Sequence, residues 1–201
     1  MFYRKDFRYE NADFNGQFNE KLTKARDWLK DWNTKTNNLF VCGSVGCGKT
    51  HLAMAFLNEM AQKSRFIPPY DTAERRYDGF WDIENIEYIV SKQLFDTIKR
   101  KFSTNAQVAA DARDDIYTYS NIKLLIIDEF GLGYGTESEL IELTELLDYR
   151  WKKGLPTVFL SNLGMKALGE YMKDRARQRA FDGADYVEIK DSSMRKKPKE
   201  L

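Results

Sequence analysis

The sequence predicts an α/β fold: a mostly parallel five-stranded sheet flanked by helices. Three observations carry this reading. Short apolar runs at 39–42, 87–90, 122–128, 156–162 and 184–190 alternate with segments of helical period. That order builds parallel strands joined by crossover helices. The first run leads directly into GSVGCGKT, residues 43–50, and a helical segment follows. The third run, IKLLIID, ends in a carboxylate, Asp128, and Glu129 comes next.

The bulk numbers bound the answer. A chain of 201 residues can bury one real core. Lys and Arg number 32 against 31 Asp and Glu, so net charge speaks neither for nor against a nucleic-acid partner. No run approaches the roughly 18 apolar residues of a membrane span. The opening MFYRKDFRYENADF lacks the apolar stretch of a signal peptide. The expectation is a reduced, cytoplasmic protein with no membrane partner. Cys42 and Cys47, at the glycine loop, make no metal pattern and read as small packing residues.

Element by element, residues 1–16 mix aromatics and charges without a period. Phe18, Leu22, Ala25, Leu29 and Trp32 then mark a helix with one buried face, and Asn37 and Asn38 end it. Residues 1–38 are thus an N-terminal linker and helix. LFVC (39–42) is a buried strand. A helix from Thr50 to Met60 carries Leu52, Ala53, Phe56 and Leu57. FIPPYDTAERRYDGFWDIEN (66–85) is too irregular for an element and reads as an insertion or long loop. Its Tyr77, Phe80 and Trp81 either anchor a partner or pack within the segment. EYIV (87–90) is a strand, and 91–102 a helix with Ser91 as its cap. Residues 106–118 form an Asp-rich helix, and 122–128 the strongest strand. In the helix 136–153, Thr136 and Glu139 make a capping box and Gly154 ends it. PTVFLSN (156–162) is a strand, 165–181 one basic helix, and ADYVEIK (184–190) the last strand. RKKPKEL closes the chain.

GSVGCGKT fits G-x-x-x-x-G-K-T between a strand and a helix, as the phosphate-binding loop requires. The backbone of Gly43, Ser44, Val45, Gly46, Cys47 and Gly48 would curl around phosphate oxygens, aided by the helix N-terminus. Lys49 would reach the β- and γ-phosphates and Thr50 would ligate Mg²⁺; His51 follows in the same first turn. Asp128 would hold Mg²⁺ through water, and Glu129 would polarise the attacking water. Both stand at the carboxyl end of a strand, where such sheets bind ligands. An Asp-Glu pair without an N-K-x-D guanine signature points to ATP hydrolysis. Asn162 either meets the γ-phosphate or the attacking water, or marks an ordinary strand-end turn. Arg175, Arg177 and Arg179 lie on one helix, with Arg175 and Arg179 on a shared face. They form either a solvated basic face or an arginine finger for a neighbour's nucleotide. Lys99, Arg100 and Lys101, with Phe102 as a stacking platform, are the candidate contacts to single-stranded DNA, or else a solvated face.

These residues together resemble the helicase-loader branch of the AAA+ P-loop NTPases, the DnaC, DnaI and IstB group. The resemblance rests on GSVGCGKTHLA, LLIIDEFG, DYRWKKGLPTVFLSNL, LGEYMKDRARQ and SSMR, and spans about residues 10 to 197. It implies an AAA+ ATPase domain over 39–197, a short tail at 198–201 and no separate lid domain. It further implies a linker before the first strand that packs near adenine. It casts Asn162 as sensor 1, Arg175 as a finger acting in trans and Arg195 as sensor 2. It implies ATP and Mg²⁺ as cofactors, self-association through the ATP sites, and loading of a replicative helicase onto single-stranded DNA. Two other functions share these residues: a transposition helper of the IstB kind, and a regulatory module that ATP switches. Group members usually carry a separate N-terminal domain that grips the helicase, whereas about 38 residues precede the first predicted strand here.

Overall fold

The computed structural model describes residues 2–3, 9–68, 70–71, 76–77, 80–131, 136–172 and 174–190, with the backbone alone at 2–3, 70–71, 76–77 and 80–81. The strands are β1 Phe2–Tyr3, β2 Leu39–Gly43, β3 Arg65–Ile67, β4 Tyr70–Asp71, β5 Arg76–Tyr77, β6 Phe80–Asp82, β7 Ile86–Val90, β8 Leu124–Asp128, β9 Thr157–Ser161 and β10 Asp185–Ile189. The helices are α1 Glu20–Lys30, α2 Lys49–Gln62, α3 Ser91–Arg100, α4 Ala106–Asn121, α5 Glu137–Lys152, α6 Met165–Tyr171 and α7 Asp174–Phe181.

All five predicted strands form one parallel sheet in the order β10-β2-β9-β8-β7. From β2 the chain crosses to the far edge at β7, then returns through β8 and β9. The carboxyl ends of β2, β8 and β9 therefore lie side by side, at the edge where open α/β sheets bind ligands.

Period-two alternation divides each strand between two cores. Leu39, Val41, Leu124, Ile126, Val158 and Leu160 face α1 and α2, where Leu22, Leu29, Leu52 and Phe56 cover them. Phe40, Leu125, Ile127 and Phe159 face the other way, under Leu94 and Phe95 of α3, Leu143 and Leu147 of α5, and Ala176 and Ala180 of α7. Phe40 and Phe159 stack at 4.5 Å across adjacent strands. Burial on both faces is why these strands read as unbroken apolar runs.

Three expectations are corrected. Residues 65–82 are not simply a loop. β3 and β1 both pair antiparallel with β6, and β4 pairs with β5. The partner strand β1 lies at the far end of the chain, so no local pattern announces the pairing. The side chains of Tyr77, Phe80 and Trp81 lie outside the described residues. Ser91 is not a cap but the first helical residue of α3. Its hydroxyl is buried without a hydrogen-bond partner, while the Gln93 carboxamide oxygen accepts from the Val90 N–H at 3.3 Å. Finally, 165–181 is two helices, not one. Met172 leaves the helix with extended dihedrals, φ −85° and ψ 129°, at the end of α6. Its side chain is buried in the same core as Leu168, Ala176 and Ala180. The Thr136–Glu139 capping box is present, and Gly154 adopts φ 64° just past α5. Among the described residues, no helix is long and apolar enough to cross a membrane.

Candidate nucleotide site

The turn from β2 into α2 builds the floor of the site. Gly46 and Gly48 take φ 82° and 103°, left-handed values that a side chain would strain. Gly48 precedes α2, whose first turn receives no side-chain cap, so its leading N–H groups are left without that partner. An N-terminus of this kind favours an anion.

Lys49 is buried beneath the loop. Its ammonium donates to the Gly43 carbonyl at 2.8 Å, the Ser44 carbonyl at 3.0 Å and the Asn162 Oδ1 at 2.8 Å. Asn162, just past β9, thus meets the glycine loop across the sheet edge. The Thr50 hydroxyl donates to Asp128 Oδ2 at 2.8 Å. Asp128 ends β8 and is buried. Glu129 is exposed and takes φ 55°, an unusual left-handed value for a side-chain-bearing residue. Such strain costs on the order of 1 kcal/mol and persists only where neighbours over-determine it. Here they do. The Glu129 N–H donates to Asp128 Oδ1 at 2.7 Å. The Phe130 N–H donates to the Leu160 carbonyl at 2.9 Å, and the Ser161 hydroxyl donates to the Phe130 carbonyl at 2.6 Å.

These groups line a cavity of about 400 Å³. Gly46, Gly48, Lys49, Thr50, Asp128, Glu129 and Asn162 line it together with Tyr9, Gln17, Phe18, Leu22 and His51. The His51 ring stands 6.1 Å from those of Tyr9 and Phe18, centroid to centroid. A lining that combines the glycine loop and charged groups with aromatic rings fits the chemistry of a nucleotide, whose phosphates need the first and whose base suits the second. Tyr9, Gln17, Phe18 and Leu22, all before β2, border this site. Individually they had no signature.

The donor chemistry also fits a magnesium ion. Thr50 and Asp128 offer oxygen ligands, and among the described residues no cluster of His, Cys, Asp and Glu could hold a metal alone. Mg²⁺ is usually held this way, by one or two protein oxygens with substrate phosphates and waters.

Sequence reasoning missed Tyr88 of β7, whose hydroxyl donates to Asp128 Oδ2 at 2.8 Å. Burial raises this phenol's pKa, and the Asp128 charge adds to it. Cys42 and Cys47 are buried free thiols, and burial pushes Cys42 up to about 11.

The remaining candidates stand apart from the cavity or outside the described residues. Arg175 is largely exposed and bonds Asp148 at 3.1 Å, beside Arg179 at 2.8 Å and Lys152 at 2.7 Å. Arg179 also stacks over Trp151 at 3.9 Å. The Lys152 hydrogen bond, with help from Arg179, holds the Asp148 carboxyl down at about 2. Lys99 pairs with Glu139 at 3.5 Å, Arg100 with Asp115 at 3.2 Å, and Lys101 with Glu142. Phe102 is exposed. Arg195 lies outside the described residues.

No family model matches the chain. It is 26% identical to the replicative helicase loader DnaC of Escherichia coli K12 over 175 residues, 85% of this chain and 62% of that protein. The DnaC of Buchnera aphidicola subsp. Baizongia pistaciae gives 26% over 174 residues. The chain thus spans about 62% of the length of the curated relatives it matches. Among solved structures, the DnaC helicase loader superposes with a TM-score of 0.67 at 18% identity, covering 92% of this chain and all of that one. DnaI gives 0.62 at 20% identity, covering 87% of each chain. AMPPCP-bound DnaA from Aquifex aeolicus gives 0.65 at 20%, covering 92% of this chain and 51% of that one. The fold is that of the AAA+ P-loop NTPases, and in sequence the chain resembles the DnaC helicase loaders.

Proposed function

We propose that the chain is the ATPase engine of a replicative helicase loader, delivering its helicase to single-stranded DNA. The observation that carries this reading is the convergence of Lys49, Thr50, Asp128, Glu129 and Asn162 on one cavity, in a chain that resembles DnaC over most of its length.

In this reading the loop amides and Lys49 hold the phosphates, and the rings of Tyr9, Phe18 and His51 flank the base. Thr50 and Asp128 hold the Mg²⁺ site; the ion, when bound, offsets phosphate charge. Glu129 accepts a proton from the attacking water as it adds to the γ-phosphorus, while the bond from that phosphorus to the β–γ bridging oxygen breaks and ADP leaves. Asn162 steadies that water or the γ-phosphate. Arg175 lies outside the cavity of its own chain and acts in a neighbouring copy. Arg195 senses the same nucleotide from the C-terminal segment. Lys99, Arg100, Lys101 and Phe102 remain the proposed DNA contacts. Lys99, Arg100 and Lys101 have intramolecular carboxylate partners, so phosphate would have to displace these ion pairs; the Arg100–Asp115 pair, exposed on both sides, is worth about 0–1 kcal/mol.

The test is a pull-down with the replicative helicase of the same organism, with and without ATP. ATP-dependent capture supports the loader reading. A parallel pull-down with a transposase of that organism, positive where the helicase is not, would favour the transposition helper. ATPase activity indifferent to DNA, with no helicase bound, would favour the regulatory module.

A further inference from the structure

Asp128 is held from three directions. Its Oδ1 accepts the Glu129 N–H at 2.7 Å, and its Oδ2 accepts both the Thr50 hydroxyl at 2.8 Å and the Tyr88 hydroxyl at 2.8 Å. An ionised carboxylate has about four acceptor sites, two on each oxygen. Oδ2 is therefore fully used and one site on Oδ1 is left. The Glu129 amide is fixed by the backbone, and in the proposed reading the Thr50 oxygen would itself be a ligand of the cation. Of the three donors, Tyr88 alone has no role of its own toward nucleotide, and it does not line the cavity.

The register explains how Tyr88 reaches the carboxylate. Val90 lies opposite Asp128 and Tyr88 opposite Ile126 in the β7–β8 ladder. Tyr88 is thus the diagonal neighbour of Asp128 on the same face, a spacing only a long side chain closes. Its ring is partly buried against the core that α1 and α2 cover, so the hydroxyl position is set by packing.

We propose that Tyr88 is a positioning residue for the metal-bound nucleotide. Its hydroxyl fixes the rotation of the Asp128 carboxylate, so that the acceptor site left on Oδ1 would be held ready for a water bound to the metal. This rests on reading the cavity as a nucleotide site. Loss of a partner that orients a metal ligand typically costs about 10- to 100-fold in metal affinity.

The experiment is a fluorescence titration of the chain with a labelled ADP, in EDTA and across a Mg²⁺ series. Tyr88→Phe keeps the ring and removes only the hydroxyl. It should shift the Mg²⁺ midpoint upward by about tenfold and leave the EDTA affinity and the melting temperature of the free chain close to wild type. In an Asp128→Asn background, Tyr88→Phe should shift the midpoint no further, because the charge it orients is gone. An unchanged midpoint overturns the proposal. So does equal weakening in EDTA and in Mg²⁺, which would mark Tyr88 as a packing residue, and so does a full additional shift in the Asp128→Asn background. If the wild type itself binds the labelled ADP with no Mg²⁺ dependence, the metal-nucleotide reading fails, and the role of Tyr88 with it.

Discussion

Arg150 is among the largest fully buried side chains of the molecule, 1% exposed. Its Nε donates to the Thr157 hydroxyl at 2.9 Å. Its two terminal nitrogens donate to the carbonyls of Tyr119 at 2.7 Å, Ile122 at 2.8 Å and Pro156 at 2.6 Å. No carboxylate pairs with it among the described residues. Its counter-charge is instead the carbonyl end of α4, where the helix dipole is negative. Burial pulls its pKa down to about 9, so it is charged at neutral pH. Arg150→Ala would strand these oxygens in a hole, each orphaned acceptor costing about 1–3 kcal/mol before water or repacking relieves it. With four neutral acceptors at the low end of that range, the total is about 4 kcal/mol. For a chain of this size each kcal/mol is worth about 2–4 °C, so the melting temperature should fall by roughly 10 °C. Arg150→Lys, with a point charge in place of the fork, should recover only part. The assay is thermal unfolding followed by circular dichroism, paired with ADP binding in the cold. Affinity should hold, because Thr157 opens β9 whereas the nucleotide site lies at its other end, about 13 Å along the strand. A melting temperature within about 2 °C of wild type would refute the reasoning.

Two further perturbations test the α5–α7 face. Arg175→Ala removes the most exposed of the three cations around Asp148 and leaves Lys152 and Arg179 in place, so the chain should fold and bind ATP normally while losing roughly 10³-fold in turnover. Mixing it with Lys49→Ala should restore part of the activity, since one kind of mixed interface is intact; no restoration would place the finger elsewhere. The Asp148 carboxyl is held at about 2, against an ordinary 3.8. Between those values the native chain binds fewer protons than the unfolded one, so its stability contribution is present above pH 3.8 and is lost as pH falls toward 2. Asp148→Asn should therefore flatten the acid limb of stability against pH. An unchanged limb would show that the three cations contribute nothing to folding through it.

Some of this was legible in the sequence for physical reasons. Strands buried on both faces leave continuous apolar runs, as in Leu124–Asp128, and the phosphate loop is a local motif whose glycines the backbone requires. Other features do not print locally. Leu168, Met172, Ala176 and Ala180 keep a spacing of four across the break between α6 and α7, because all four side chains face one core. Ser91 differs from a cap by a single position, set by where β7 ends. Asp148 and Arg150 look like an ordinary charged helix surface, and their burial depends on α4, α7 and β9. Tyr88 meets Asp128 diagonally across two strands, which no linear spacing reveals.

The central claim is that this cavity binds ATP and that Glu129 activates the water that cleaves it. The most direct measurement compares ATP affinity and turnover in wild type and Glu129→Gln. Gln keeps the side chain's length and tolerates the same backbone turn, so affinity should stay within about twofold while turnover falls by roughly 10²-fold or more. Turnover at the wild-type rate, or loss of ATP binding, would contradict the account.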